Sequence, residues 1–133
     1  MEYSVRKNRK GAVAVEFAMT APLLFIMVFG ALELGHANMV LNVAEAASYE
    51  GARAGIVPGA TAQDVQNAVD EILSISNIRQ ATVTVSPSNL NTSSEFIEVQ
   101  IRIPYADNTL IPPFFTGGMI VERDCKLTRE SAT

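Results

Sequence analysis

Residues 12–34 read AVAVEFAMTAPLLFIMVFGALEL, and Glu16 is the only charge between Lys10 and Glu33. As a helix this stretch is about 34 Å long at 1.5 Å per residue, enough for a hydrocarbon core of about 30 Å. Four basic residues, Arg6, Lys7, Arg9 and Lys10, precede it, while Glu33, Glu45 and Glu50 follow. That asymmetry orients a single span with its N-terminus in the cytoplasm and the chain after about residue 36 outside. A secretory signal peptide is the competing explanation. Its apolar region is about 7–15 residues long and free of carboxylates, and the small-residue site at Gly35-His36-Ala37 is a weak cleavage signal. The chain therefore divides into a cytoplasmic basic leader (1–11), a transmembrane helix (12–35) and an extracytoplasmic domain (36–133).

The remaining composition narrows the function. The chain has 133 residues, 48% hydrophobic and 18% charged, with a net charge of −4. That is room for one modest domain beyond the span. Without residues 1–11, six basic residues face thirteen acidic ones, a charge of −7. A body this acidic repels polyanions, so nucleic acid is not expected as a partner. One Cys precludes an internal disulfide and a Cys-based zinc site, and one His precludes a multi-histidine metal centre. No Gly-rich phosphate loop, nucleophile elbow or paired-carboxylate site appears. Neither a cofactor nor catalysis by the chain itself is expected.

Beyond the span, positions 37, 40, 41, 44, 47, 51 and 54 are small or apolar at steps of three and four, which predicts one long helix from about 12 to 55. Pro22 lies inside it and should introduce a mild kink near Ala18–Pro22. Glu50 and Arg53 are spaced to pair along the polar side, and Gly55 with Pro58-Gly59 ends the helix. Thr61 and Asp64 are spaced as an N-cap and its acidic partner, opening a second amphipathic helix over 62–76. After residue 80 the apolar period becomes two. Ala81, Val83 and Val85 mark one strand, and Ile97, Val99, Ile101 and Ile103 a second. Met119, Val121, Cys125 and Leu127 mark a third, with Arg123 interrupting its apolar face. The expected fold is α+β: a long N-terminal helix, a short second helix and a three-stranded antiparallel sheet packed on the extracytoplasmic half of the first.

Glu16 is the anomaly in the span, because a carboxylate in hydrocarbon is costly. Snorkelling to the headgroups is the plain explanation. The alternative is a positive partner: were the chain cut after Gly11, the α-ammonium of Ala12 on a neighbouring subunit would lie at the same depth and neutralise Glu16.

The residues that carry this idea resemble a known family. RKNRKGAVAVEF (6–17) resembles a type IV prepilin leader. GAVAVEFAMTAPLLFIMVFGALELG (11–35) resembles the TadE-like pseudopilins of the tight-adherence (Flp, Tad) pilus: Gly11, Val15-Glu16-Phe17, Pro22-Leu23-Leu24 and Glu33-Leu34-Gly35, followed by Gly51-Ala52-Arg53-Ala54. The resemblance spans residues 6–55. It implies that a prepilin peptidase cuts between Gly11 and Ala12, and that Glu16, with Phe17 beside it, directs assembly. It further implies that the partners are other pilin and pseudopilin subunits, the inner-membrane assembly platform and the lipid bilayer. The domain beyond the span implies a minor pilin or pseudopilin, held in the inner membrane or incorporated in the pilus, with a role in assembly, secretion or adhesion. The competing reading is an uncleaved bitopic membrane protein whose outer domain binds a partner; a membrane-anchored enzyme ranks last.

Other candidates are weaker. Cys125 reads as a small buried hydrophobe, with intermolecular pairing as the sharper alternative. His36 reads as an interfacial polar residue. Glu33 should emerge into the headgroups, with subunit contact as an alternative. The run Ile111-Pro112-Pro113-Phe114-Phe115 is either a flap over the sheet or a partner-binding patch centred on Phe114 and Phe115. Asn91-Thr92-Ser93 matches a glycan acceptor.

Overall fold

The computed structural model describes residues 5–88, 90, 95–109 and 112–129. The glycan-acceptor triplet and Ile111 lie outside them. The elements are α1 (Val5–Gly55), α2 (Ala62–Ile75), β1 (Thr82–Ser86), β2 (Phe96–Pro104), a 3-10 turn (Tyr105–Asn108) and β3 (Ile120–Thr128). The sheet is antiparallel in the order β1-β2-β3, so the α+β architecture expected from the sequence is the one observed. One boundary moves. The first helix starts at Val5 rather than near residue 12, because Arg and Lys are good helix formers and neither Pro nor a capping residue stops the helix at Gly11.

The start of the apolar stretch of α1 is uncovered: residues 11–20 are all exposed. The second half is the spine of the domain. Val40, Ala44, Ala47 and Ala52 are fully buried, as are the four inward residues of β2, Ile97, Val99, Ile101 and Ile103. The buried helical face is wider than the small-residue stripe read from the sequence. It takes in Ser48 and Gly55, whereas Leu41 and Ala54 are only half-buried. The width follows from double duty, since α1 packs against α2 as well as the sheet. Ser48 is accommodated by donating its hydroxyl to the Glu45 carbonyl at 2.9 Å.

The connections follow their local chemistry. A turn with Pro58 and Gly59 at its centre closes with Ala60 N–H to the Val57 carbonyl at 3.0 Å, and Gly59 takes φ +86°. Thr61 caps α2 through a reciprocal capping box with Asp64. The Thr61 hydroxyl, and then its backbone N–H, hold the Asp64 carboxyl below the usual carboxylate range. At the other end Asn77 adopts φ 54°, Asn77 N–H reaches the Ser74 carbonyl and Ile78 N–H the Leu73 carbonyl. That is a Schellman ending.

β2 is central and its inward side chains are fully buried, while β1 and β3 are edges. Val83 and Val85 are accordingly half-buried. Cys125, opposite Val99, is half-buried against the core, and burial pushes its thiol up. Arg123, opposite Ile101, escapes the core because β3 is an edge: its guanidinium donates to the Glu122 carbonyl at 2.8 Å.

Candidate functional site

Two regions of α1 carry the candidate residues. Near its start, Gly11, Ala12, Glu16 and Phe17 are exposed, on a part of the helix where residues 11–20 are all exposed among the described residues. Nothing lies within 4 Å of where a Gly11 side chain would be. A glycine inside a helix costs about 1 kcal/mol relative to alanine, so Gly11 is a local weak point in the backbone. No described side chain pairs with the Glu16 carboxylate, whereas its carbonyl accepts the Thr20 hydroxyl at 2.9 Å. Pro22 removes the donor that would reach the Ala18 carbonyl, yet α1 remains helical through it.

The second region lies at the far end of the apolar stretch, 22 residues or about 33 Å along the helix from Gly11. Here the loop before β3 returns to α1. The Glu33 carboxylate accepts the backbone N–H of Phe114 (3.1 Å), Phe115 (3.0 Å) and Thr116 (2.7 Å), and also the Thr116 hydroxyl. Phe115 lies against Gly30, where a methyl group would come within 3.3 Å of its ring. The backbone of the same helical turn is held as well, since the Tyr105 hydroxyl donates to the Glu33 carbonyl at 2.9 Å. Burial raises the Tyr105 phenol above its usual range, and the Glu33 charge acts in the same direction.

One turn further on, His36 Nε2–H donates to the Asn108 carbonyl at 2.7 Å, and its ring lies 5.9 Å from that of Tyr105. The Asn108 side chain ties this corner to the end of α2. It accepts Arg79 N–H at 2.6 Å and donates to the carbonyls of Arg79 and Pro104. Between α1 and the 3-10 turn lies an open, mostly apolar cavity of about 500 Å³ lined by Leu32, Glu33, His36, Met39, Tyr105 and Thr109. Among the described residues no three His, Cys, Asp or Glu side chains gather as metal ligands would.

The structure thus places the predicted residues in two separate regions of α1, an exposed stretch holding Gly11, Ala12, Glu16 and Phe17 and a clasp at Glu33. Phe114 and Phe115 are exposed, as a patch requires, but their loop leans on α1 rather than over the sheet. Glu33 is occupied within its own chain by that loop. The clasp was not read from the sequence, because its partners lie 81 to 83 residues apart. The available signal was a carboxylate closing an apolar stretch, together with a Pro-Pro step that leaves Phe114, Phe115 and Thr116 as consecutive donors.

Residues 11–53 match the family model described as TadE-like protein. The chain carries a TadE-like segment. It begins at the glycine of the expected processing site, contains Glu16 and the whole apolar stretch, and ends at Arg53 on the packed half of α1. The match supports a pilin-like protein associated with a Tad pilus, anchored by one N-terminal helix long and apolar enough to cross a membrane. Comparisons with curated proteins and with solved structures gave no match.

Proposed function

We propose that this chain is a minor pilin or pseudopilin of a Tad-type pilus, cut by a prepilin peptidase after Gly11 and contributing to assembly of the fibre. The observation that carries the reading is the TadE-like segment, with Glu16 exposed as the only charge between Lys10 and Glu33 and without an intrachain partner among the described residues. After cleavage the Ala12 ammonium of a neighbouring subunit supplies that partner. Pairing removes the cost of burying either charge alone and sets the stagger between adjacent helices. The weak backbone at Gly11 helps the peptidase to extend the chain locally. The N-terminus faces the cytoplasm, as the basic residues favour, and the packed domain faces outward. The protein is a structural component acted on by the peptidase, with other pilins and the membrane assembly platform as partners.

The test is the N-terminal mass of the chain isolated from native membranes, with and without the peptidase. A start at Ala12 that depends on the peptidase is expected. A start at Met1 in both would leave the bitopic reading standing. Glu16→Ala then separates the steps: cleavage should proceed while incorporation into assemblies is lost. Unchanged assembly would remove the role given to Glu16.

A further inference from the structure

The loop that Glu33 clasps is unusual in what it exposes and what it conceals. Phe114 is 76% exposed and Phe115 65%. Residues 108–121 carry no charge at all. The backbone donors, by contrast, are all accounted for along the tip: Pro112 and Pro113 have none, and those of Phe114, Phe115 and Thr116 end on Glu33. Unsatisfied N–H and C=O groups are both costly in a lipid phase, and from Pro112 to Thr116 the N–H part of that cost is absent. Glu33, about 31 Å along the helix from Ala12 and so at the edge of a core of about 30 Å, is surrounded by four donors from the loop.

The level of the loop is fixed by α1. Phe115 meets Gly30, about 27 Å along the helix from Ala12, which is inside a hydrocarbon core of about 30 Å that begins there. The helix surface at this height is itself exposed and apolar, through Ile26, Met27, Phe29 and Leu32. The Phe115 ring, seated against Gly30, extends that surface sideways, and the exposed Phe114 follows from a backbone held on Glu33. Whatever solvent bathes Ile26 and Phe29 also meets the exposed part of the Phe115 ring.

We infer that the Pro112–Thr116 loop is inserted in the lipid leaflet on the domain's side of the membrane, with Phe114 and Phe115 as a second anchor beside α1. This rests on α1 being a membrane span. The domain is then held to the bilayer at two points, which fixes its height and tilt while the subunit waits in the membrane. Leaving the bilayer requires withdrawal of both.

The chain contains no Trp, so a single introduced one reports alone. The full-length chain carrying Phe114→Trp is reconstituted in phosphatidylcholine vesicles with plain or brominated acyl chains. Phe25→Trp marks the span and Tyr49→Trp the aqueous part of α1. The expected result is bromolipid quenching of Phe114→Trp close to that of Phe25→Trp, with Tyr49→Trp unquenched. Phe115→Trp should behave as Phe114→Trp does, which guards against a local misfold in either variant. Quenching of Phe25→Trp without quenching of either loop reporter overturns the inference and leaves the span intact. Blue-shifted but unquenched loop emission assigns the patch to a protein contact and also overturns it. Absence of quenching at Phe25→Trp would instead remove the span, and the inference with it.

Discussion

Replacing Gly51 with alanine sets helix propensity directly against packing. In an exposed helix the change stabilises by about 1 kcal/mol, because alanine loses less backbone entropy than glycine. At position 51 the new methyl would lie 2.5 Å from Val69 Cγ2, 3.4 Å from Val99 Cγ1 and 3.5 Å from Val65 Cγ1. The first separation is about 1 Å short of ordinary contact. Val69 is β-branched, fully buried and on a capped helix, so no cheap rotamer relieves the clash and α2 itself must shift. Overpacking of this kind costs about 1–3 kcal/mol, and here the upper part of that range applies. The net expectation is destabilisation by about 1–2 kcal/mol, a fall in Tm of about 5–10 °C for a domain of this size. Val69→Ala alone should cost about 2–3 kcal/mol through lost burial and the cavity left behind. The double variant should recover about 1–2 kcal/mol of the sum, because the methyl introduced at position 51 then enters the vacated space. The assay is urea and thermal unfolding of the full chain in detergent micelles, followed by circular dichroism. A Gly51→Ala protein as stable as the parent, or additive behaviour in the cycle, would refute the close approach of α1 and α2.

Thr61→Ala should destabilise the domain by about 1 kcal/mol through loss of the α2 cap, measured in the same way. Because the Asp64 carboxyl titrates below its ordinary range when folded, its contribution is complete above the unfolded value and fades as pH falls through the folded one; Asp64→Asn should flatten that acid limb of the stability profile. Tyr105→Phe removes the hydroxyl held by the Glu33 carbonyl and should cost about 1 kcal/mol. The raised Tyr105 phenol places the parent's matching loss of stability on the alkaline side, and the variant should lack it. Glu33→Gln keeps one carbonyl acceptor where the carboxylate offers two oxygens to four donors, so the amides of Phe114, Phe115 and Thr116 should exchange with solvent faster while those of β2 keep their protection. Uniform loss of protection would show that the clasp supports the whole domain rather than the loop.

The long helix, the second helix with its cap and the three strands were legible because each rests on local chemistry. Period-two alternation marks β2, whose inward residues are all buried; the Thr61–Asp64 spacing marks the start of α2; an apolar run with one charge marks the span. The anomaly at Glu16 was equally plain, since a single carboxylate between Lys10 and Glu33 needs no structure to be noticed. Other features were illegible because they depend on contacts between distant segments. The width of the buried face on α1 came from its sharing between α2 and the sheet, and half-burial of Cys125 from the edge position of β3.

Glu33 shows the division best. By itself the sequence determined that a carboxylate closes the apolar stretch and that two prolines precede two phenylalanines, since residue identity and spacing along one segment decide both. Only the tertiary structure decided that the two segments meet. Packing of the sheet on the upper half of α1 carries the β2–β3 connection back to the level of Gly30 and Glu33. There the carboxylate satisfies the loop donors, and the rings are left exposed beside the apolar helix.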